Sequence, residues 1–327
     1  AVPYGPSELL IADAESLAAT SQTRPGDLVL LCADAPTSHL VAPRAIASGA
    51  VVIDNSSAFR LDPGVPLVVP EINPEALPSS GGALIASPNC STVILLSALE
   101  PLRREFGLRA IDVATYQAVS GAGAAAIDEL LTQTAHVLAG GSPSPRVFPE
   151  PCAFNLFSHD SAVDPESGVN GEERKVIDES RKILGQPTLR ITPTCVRVPV
   201  LRAHTQAITV TLDEPASEGE VRGALARHAA ACGVVVVDDR AHGRFPTPLR
   251  ASGGDAILVG RIRPDPGEPS SPTGAHRRWC LMASGDQLRK GAALNLIQIA
   301  QRLGLLPVAP TLAASHAPER PAPACAG

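Results

Sequence analysis

The sequence predicts an α/β protein, with a doubly wound, mostly parallel sheet in its first third and an α+β section after it. Three observations carry this. Short uninterrupted apolar runs alternate with helix-like segments near the start, as strands covered on both faces require. Longer strand-like segments dominate the middle of the chain, which points to a mixed or largely antiparallel sheet. A single amphipathic segment then closes the ordered part, ahead of a tail rich in Ala and Pro.

Taken in order, Leu28-Val29-Leu30-Leu31 is the first clear buried strand. Residues 39–48 have helical composition, Gly49 ends them, and residues 50–54 form a second buried strand. Residues 66–69 and 83–86 read as further short strands, and residues 91–106 as a helix stopped by Gly107. A long strand over 109–119 leads to a helix of small and apolar residues over 122–138, then to a Pro/Gly/Ser loop over 140–145. Residues 171–184 are polar and helical, closed by Gly185. Strands are predicted at 188–198, 206–212, 233–238, 256–262 and 277–282. Ser217 and Glu220 give the intervening helix a capping-box signature. Residues 288–303 form the closing helix, and the tail from 307 to 327 is predicted to be disordered.

Composition narrows the function classes. Of 327 residues, 44% are hydrophobic, which suits a globular core. The formal net charge of −6 argues against nucleic acid or an anionic membrane as partner. No apolar run reaches the roughly 18 residues of a membrane span. The start, Ala1-Val2-Pro3-Tyr4-Gly5, lacks the basic and apolar regions of a secretory signal. The seven cysteines are scattered, odd in number and without a C-x-x-C pair. That excludes a zinc ribbon or a disulfide framework, so no metal site is expected and a reducing cytoplasm is the expected compartment.

Two segments carry chemistry. In Ser87-Pro88-Asn89-Cys90-Ser91-Thr92, Cys90 falls between a strand and a helix start. Free N–H groups and the positive dipole end there stabilise a thiolate, which would attack an acyl carbon. A small buried cysteine fits the same position. In the segment from Cys195 to His204, Arg197 and Arg202 close to His204 offer a carboxylate site beside an acid/base group. A surface arginine and a solvent-facing histidine fit it equally well.

These segments, with others in the same order, resemble the aspartate-β-semialdehyde dehydrogenase family. The matching pieces are Val52-Ile53-Asp54-Asn55-Ser56-Ser57-Ala58-Phe59-Arg60, Val69-Pro70-Glu71-Ile72-Asn73, the Cys90 motif, Gln117-Ala118-Val119-Ser120-Gly121-Ala122-Gly123, Asn155-Leu156-Phe157-Ser158-His159, Glu172-x-x-Lys175, the His204 motif, Phe245-Pro246-Thr247-Pro248, Val259-Gly260-Arg261-Ile262-Arg263, and Leu288-Arg289-Lys290-Gly291-Ala292-Ala293-Leu294-Asn295. The resemblance implies an NADP-dependent enzyme that reduces L-aspartyl 4-phosphate to the semialdehyde through a thioacyl bond on Cys90. His204 would be the acid/base group, Gln117 would orient the acyl group, and Asn89 would help hold the oxyanion. Arg197 would take the substrate carboxylate and Glu172 its ammonium. Arg60 and Lys175 would bind phosphate. Ser120, Gly121 and Asn295 would meet the cofactor. A homodimer is implied as well, formed through the helix over 124–138.

The implied fold is a Rossmann-like doubly wound cofactor domain over 1–88, completed by the helix of 286–306, plus an α+β substrate and dimerisation domain with a mixed sheet over 89–285. The cofactor domain reads as incomplete. The family opens on a strand and a Gly-x-x-Gly-x-x-Gly loop that cradles dinucleotide phosphates, and nothing before Leu28 fits it. Glu8-Leu9-Leu10-Ile11-Ala12-Asp13-Ala14 resembles a strand well inside that domain, and Cys32-Ala33-Asp34-Ala35-Pro36 stands in place of a Gly-rich stretch. An N-terminally truncated family member that binds NADP poorly is therefore expected. Two other readings share this architecture. One is an N-acetyl-γ-glutamyl-phosphate reductase, against which Glu172 speaks if it binds a free ammonium. The other is a non-catalytic paralogue, against which Cys90, Gln117, Arg197 and His204 together speak.

Overall fold

The computed structural model describes residues 2–4, 7–9, 23–79, 82–269 and 271–307. Val2–Tyr4 (β1) and Ser7–Leu9 (β2) pair antiparallel. The rest of the strand expected at 8–14, and residues 308–327 of the expected tail, lie outside the described residues.

Leu28–Leu31 (β3), Val51–Asp54 (β4) and Ala83–Ala86 (β5) form a parallel three-stranded sheet in that order. Between the first two, helix α1 (Ala35–Ala47) packs Ala42 and Ala45 against Leu31, Val52 and Phe59. The helix begins at 35, not at 39 as composition suggests. Asp34 caps it by accepting the Thr37 N–H, and Pro36 sits in the first turn, where no N–H is needed. Residues 66–69 do not form the predicted strand. Leu67 makes only a bridge to Ala86. The Asn73 side chain takes the neighbouring backbone groups, accepting from Val69 N–H and donating to Leu67 C=O at 2.9 Å each.

The larger part is built on seven strands: β6 (Ala110–Gln117), β7 (Phe157–Ser158), β8 (Arg190–Arg197), β9 (His204–Ser217), β10 (Val234–Val236), β11 (Ile257–Pro264) and β12 (Ala275–Gly285). Their order is β10-β11-β12-β9-β6-β8-β7, with β10/β11 and β6/β8 parallel and the other pairs antiparallel. The sheet is therefore mixed, as expected. One face carries α2 (Cys90–Phe106), α4 (Gly171–Leu184) and α5 (Glu218–His228). Their core includes Ile94, Leu99, Val176, Leu225, Ile208 and Trp279. Truncating a buried Leu or Ile to Ala in such a core costs about 2–5 kcal/mol. Helix α3 (Ala124–Leu138) stands apart from this core, packing Ala126 and Leu130 on Phe148, Cys152 and Ala153.

Helix boundaries follow local chemistry. In α4 a capping box joins Asn170 and Glu173, and Gly185 ends the helix at φ +63°, so its predicted limits hold. The same device at Ser217 and Glu220 opens α5. β9 and β12 run longer than patterning suggests, because they pair from His204↔Gly285 to Ser217↔Ala275 through a register shift near His276. A short helix α6 (Pro248–Ala251) precedes β11. The predicted closing helix is broken. Arg289–Ala293 is a π-turn, and α7 (Leu294–Arg302) follows it. Helix α7 packs Leu296, Ile299 and Ala300 on Ile53, Val68 and Ile85 of the small sheet, opposite α1.

Candidate active site

Cys90 is the first residue of α2, and Asn89 is its cap. The Asn89 Oδ1 accepts the N–H groups of Ser91 and Thr92 at 2.8 and 3.4 Å. Its Nδ2 donates to Glu172 Oε1 at 3.0 Å. The side chain is thus held at both ends, and the second hydrogen of its Nδ2 remains for an oxyanion. Cys90 itself is half-buried. Loss of solvent around its sulfur pushes the thiol up to about 12, and the Glu172 charge adds to this. Arg60, the Ser91 N–H and Arg197 pull the other way but do not prevail. Desolvation and the neighbouring carboxylate thus both favour the neutral thiol, in the direction opposite to that expected of a helix start.

Glu172 is the hub of the site. It lies in the first turn of α4, buried, and accepts from Gln117 Nε2 at 2.8 Å as well as from Asn89. Lys175, one turn on and half-exposed, approaches Oε2 at 3.4 Å. Burial penalises the Glu172 charge, but His159, Lys175 and the bonds from Gln117 and Asn89 outweigh it and hold the carboxyl down to about 2. Gln117 ends β6 and also donates to Ser91 Oγ at 2.5 Å. Its Oε1 is buried without a partner among the described residues, an acceptor left free for a ligand.

Arg197 ends β8 and is 3% exposed. Asp160 Oδ1 accepts from its Nη2 at 2.6 Å and its Nε at 3.2 Å, Ala118 C=O accepts from Nη1, and the Phe148 ring lies under the guanidinium. His159 Nε2 lies 3.0 Å from the same Nη2. A ligand carboxylate reaching Arg197 has to share it with Asp160. His204 opens β9 and is 1% exposed. Its Nδ1 accepts the Ala118 N–H at 3.0 Å, so the ring proton resides on Nε2. Burial and the Arg197 charge push its pKa down to about 3. Gly121 connects these groups. A β-carbon there would lie 3.2 Å from His204 Cε1 and 3.4 Å from Arg197 Nη1. The glycine leaves backbone exposed beside the imidazole, a floor on which a flat ring can lie.

The other residues expected at the cofactor are less free. Ser120 is buried and accepts a bond from Gln287. Asn295 is fully buried. Its Nδ2 donates to Val68 C=O and Ser87 Oγ at 3.0 Å each, and Lys290 donates to its Oδ1 at 3.3 Å. The expected nicotinamide contact is therefore not what this side chain is arranged for. It braces α7 against the loop before Cys90. Lys290, 1% exposed, donates to Glu71 at 2.6 Å and to Gln298 at 2.7 Å. Removing either member of such a buried pair costs about 3–5 kcal/mol.

Arg60 comes from the small-sheet side. Asp54 ends β4 buried, accepting from Ser38 Oγ, Ser56 N–H and Ser56 Oγ. That fixes the loop running to Arg60. Arg60 Nη2 donates to Asn55 C=O at 2.8 Å and Nη1 to Glu179 Oε1 at 3.0 Å. Burial raises the Glu179 pKa, against the pull of Arg60.

The structure thus brings Cys90, Asn89, Gln117, Glu172, Lys175, Arg197, His204 and Gly121 into one neighbourhood, with Arg60 joined to it through Glu179. Sequence reading missed Asp160, Gln287 and Glu179. For Glu179 a signal existed, since it lies seven residues after Glu172 and so shares its helix face. Among the described residues, no cluster of His, Cys, Asp and Glu could hold a metal, and no helix is long and apolar enough to cross a membrane.

The chain is similar to known proteins over most of its length. Residues 99–290 match the family profile described as semialdehyde dehydrogenase, dimerisation domain, and residues 7–80 match semialdehyde dehydrogenase, NAD binding domain. The chain is 46% identical over 277 residues to the aspartate-semialdehyde dehydrogenase of Synechocystis sp., covering 85% of this chain and 78% of the relative. It is 44% identical over 292 residues to that of Mycolicibacterium smegmatis, covering 85% and 80%. Among solved structures, aspartate semialdehyde dehydrogenase II of Vibrio cholerae in complex with ASA superposes with a TM-score of 0.77 at 38% identity, covering 85% of this chain and 79% of that one. A probable aspartate-semialdehyde dehydrogenase of Pseudomonas aeruginosa gives a TM-score of 0.80 at 29% identity, covering 92% and 85%.

Proposed function

Because the chain belongs to the aspartate-semialdehyde dehydrogenase family, we propose that it reduces L-aspartyl 4-phosphate to L-aspartate 4-semialdehyde through a thioester on Cys90. The observation that carries the reading is the charged triangle around Cys90. Glu172 stays ionised over the whole working range and is matched to an ammonium. Arg197, ringed by Asp160 and Phe148, is matched to a carboxylate. Arg60 and Lys175 supply cations for phosphate. An amino acid with a phosphorylated side-chain carboxyl has these three groups. An N-acetylated substrate would bring no ammonium to the buried Glu172 carboxylate, leaving it only the half-exposed Lys175 as cation.

The chemistry follows from these positions. The substrate ammonium neutralises Glu172, which removes one of the two effects that raise the Cys90 thiol. The Cys90 sulfur then bonds to the acyl carbon as its S–H bond breaks, and the acyl–phosphate bond breaks with its electron pair going to phosphate, which takes up the thiol proton and is held by Arg60 and Lys175. The nicotinamide dinucleotide, when bound, supplies the hydride that reduces the thioester. The carbon–sulfur bond of the resulting thiohemiacetal breaks to give the aldehyde and regenerate Cys90. His204 offers its Nε2–H to the acyl oxygen as charge develops there. With Nδ1 accepting the Ala118 N–H, an imidazolium would set two N–H groups against each other. The acid/base role thus narrows to that of a neutral donor.

Gly121 is the place where the nicotinamide ring would lie, and the match of residues 7–80 to an NAD binding domain supports a dinucleotide. NADP is our reading of which one. A homodimer is also proposed. It is supported by the match to a dimerisation domain and by Tyr116, Leu131 and Leu138, exposed on β6 and α3. The test of function is the reverse reaction. Phosphate-dependent NADPH formation should be at least roughly tenfold faster from aspartate semialdehyde than from N-acetylglutamate semialdehyde. The opposite preference overturns the substrate assignment.

A further inference from the structure

We infer that Glu179 is a positioning residue for phosphate, one that fixes the Arg60 guanidinium and the loop before Cys90 with a single buried carboxylate. The inference rests on the reading of Arg60 as a phosphate ligand. Glu179 is 1% exposed and sits on α4. Its Oε1 accepts from Arg60 Nη1 at 3.0 Å, and its Oε2 accepts the Asn89 N–H at 2.6 Å. One side chain therefore joins a residue of the small-sheet part to the residue preceding the nucleophile. Lys182, one turn further on, donates to the carbonyls of Arg60, Asp62 and Val65 at 2.8, 2.7 and 2.7 Å. Glu172, Lys175, Glu179 and Lys182 thus form a stripe along one side of α4, at spacings of three, four and three residues. The first half of the stripe faces the substrate end and the second half grips the Arg60 loop.

The guanidinium shows what this grip leaves free. Arg60 is 8% exposed, its Nη1 is taken by Glu179 and its Nη2 by Asn55 C=O, yet its buried Nε has no partner among the described residues. A buried, unpaired N–H on a group locked at its other two nitrogens is a donor waiting for an oxygen. Two anchors on one planar fork remove the rotamer freedom that a phosphate would otherwise have to quench. Burying the Arg60–Glu179 pair contributes little stability in itself. Its effect is to hold the fork at the distance set by the Cys90 loop.

The test is phosphate binding to the full chain, followed by 31P line broadening with inorganic phosphate as the probe and requiring no turnover. Arg60→Ala should weaken binding at least roughly tenfold, since it removes a charge-assisted ligand. Glu179→Gln should weaken it by a similar factor, because the amide puts an N–H where Arg60 or Asn89 needs an acceptor. In the Arg60→Ala background, Glu179→Gln should have no further effect on phosphate, the signature of action through Arg60. If Glu179→Gln fails to fold, Lys182→Met loosens the same loop from its half-exposed side and should weaken binding severalfold. Unchanged binding in Arg60→Ala overturns the phosphate reading itself. A loss in Arg60→Ala with unchanged or tighter binding in Glu179→Gln or Lys182→Met overturns the positioning role and leaves that reading standing.

Discussion

A methyl group on the α-carbon of Gly291 would lie 2.8 Å from the β-carbon of Cys90, so the π-turn before α7 packs directly against the nucleophile. Only the absence of a side chain permits this approach. Gly291→Ala must move either the turn or the sulfur. A displacement near 1 Å at a reacting atom can cost about 100-fold in rate. The expected result is a fall in kcat of that order with a melting temperature close to wild type. An unchanged kcat would show that the turn yields and that the contact does not position Cys90.

Glu172 raises the Cys90 thiol while serving as the proposed ammonium site. Glu172→Gln should therefore speed alkylation of Cys90 by iodoacetamide near pH 8, severalfold, while weakening substrate binding. The pH profile of alkylation should shift to lower pH in the variant. A slower reaction or an unmoved profile would remove the electrostatic link between the two residues.

Stability should depend on pH through His204, Glu172 and Cys90. The His204 pKa is pushed from 6.5 down to about 3 by burial and Arg197, so the neutral ring is favoured in the fold. Its contribution is complete above 6.5 and is lost as pH falls toward 3. Glu172, depressed from 4.5 to about 2 because its partners outweigh burial, adds a second loss as pH falls through that lower window. Cys90, raised from 9.0 to about 12 by burial and Glu172, acts in the other direction, contributing stability below 9 that is lost as pH rises toward 12. Urea midpoints should fall from pH 7 to pH 4, and His204→Gln should flatten the part between 6.5 and 4.5. Parallel slopes in the two proteins would contradict the assignment.

A neutral donor at His204 Nε2 has a separate consequence. Glutamine places an amide N–H near Nε2, whereas alanine places nothing there. His204→Gln should stay within about tenfold of wild-type kcat/KM, and His204→Ala should lose about 100-fold or more, the scale of one oxyanion donor. Wild-type kcat/KM should show no limb assignable to histidine between pH 5 and 8. Equal losses in both variants, or a limb near 6.5 that vanishes with His204, would restore a proton-transfer role.

Local chemistry decided which parts were legible in the sequence. Helix α4 matched its predicted bounds because Asn170, Glu173 and Gly185 satisfy their own ends within a few residues. The strand at 83–86 was equally plain, since Ala83-Leu84-Ile85-Ala86 is an apolar run flanked by breakers. Composition starts helix α1 late because Asp34-Ala35-Pro36 stands where the family has a glycine-rich stretch, whereas Asp34 is the cap and Pro36 lies in the first turn. The 66–69 segment failed because Asn73, outside it, takes its hydrogen bonds. In the site, Cys90, Gln117, Glu172, Arg197 and His204 were named from motifs and do converge. Their partners were not readable. Glu179 meets Arg60 across 119 positions and Asn295 meets Val68 across 227, separations that no local pattern encodes. For the same reason the motif points Asn295 at the cofactor, although both hydrogens of its Nδ2 are engaged within the chain.

The central claim is that Cys90 carries the acyl group, and the most direct measurement is trapping with L-aspartyl 4-phosphate in the absence of any dinucleotide. Without a hydride donor the reaction should stop at the thioester. Mass spectrometry of the acid-quenched protein should then find one aspartyl group on the peptide bearing Cys90, accompanied by a stoichiometric burst of phosphate, and Cys90→Ser should show neither. An aspartyl group on another cysteine, or phosphate release that persists undiminished in Cys90→Ser, would contradict the account.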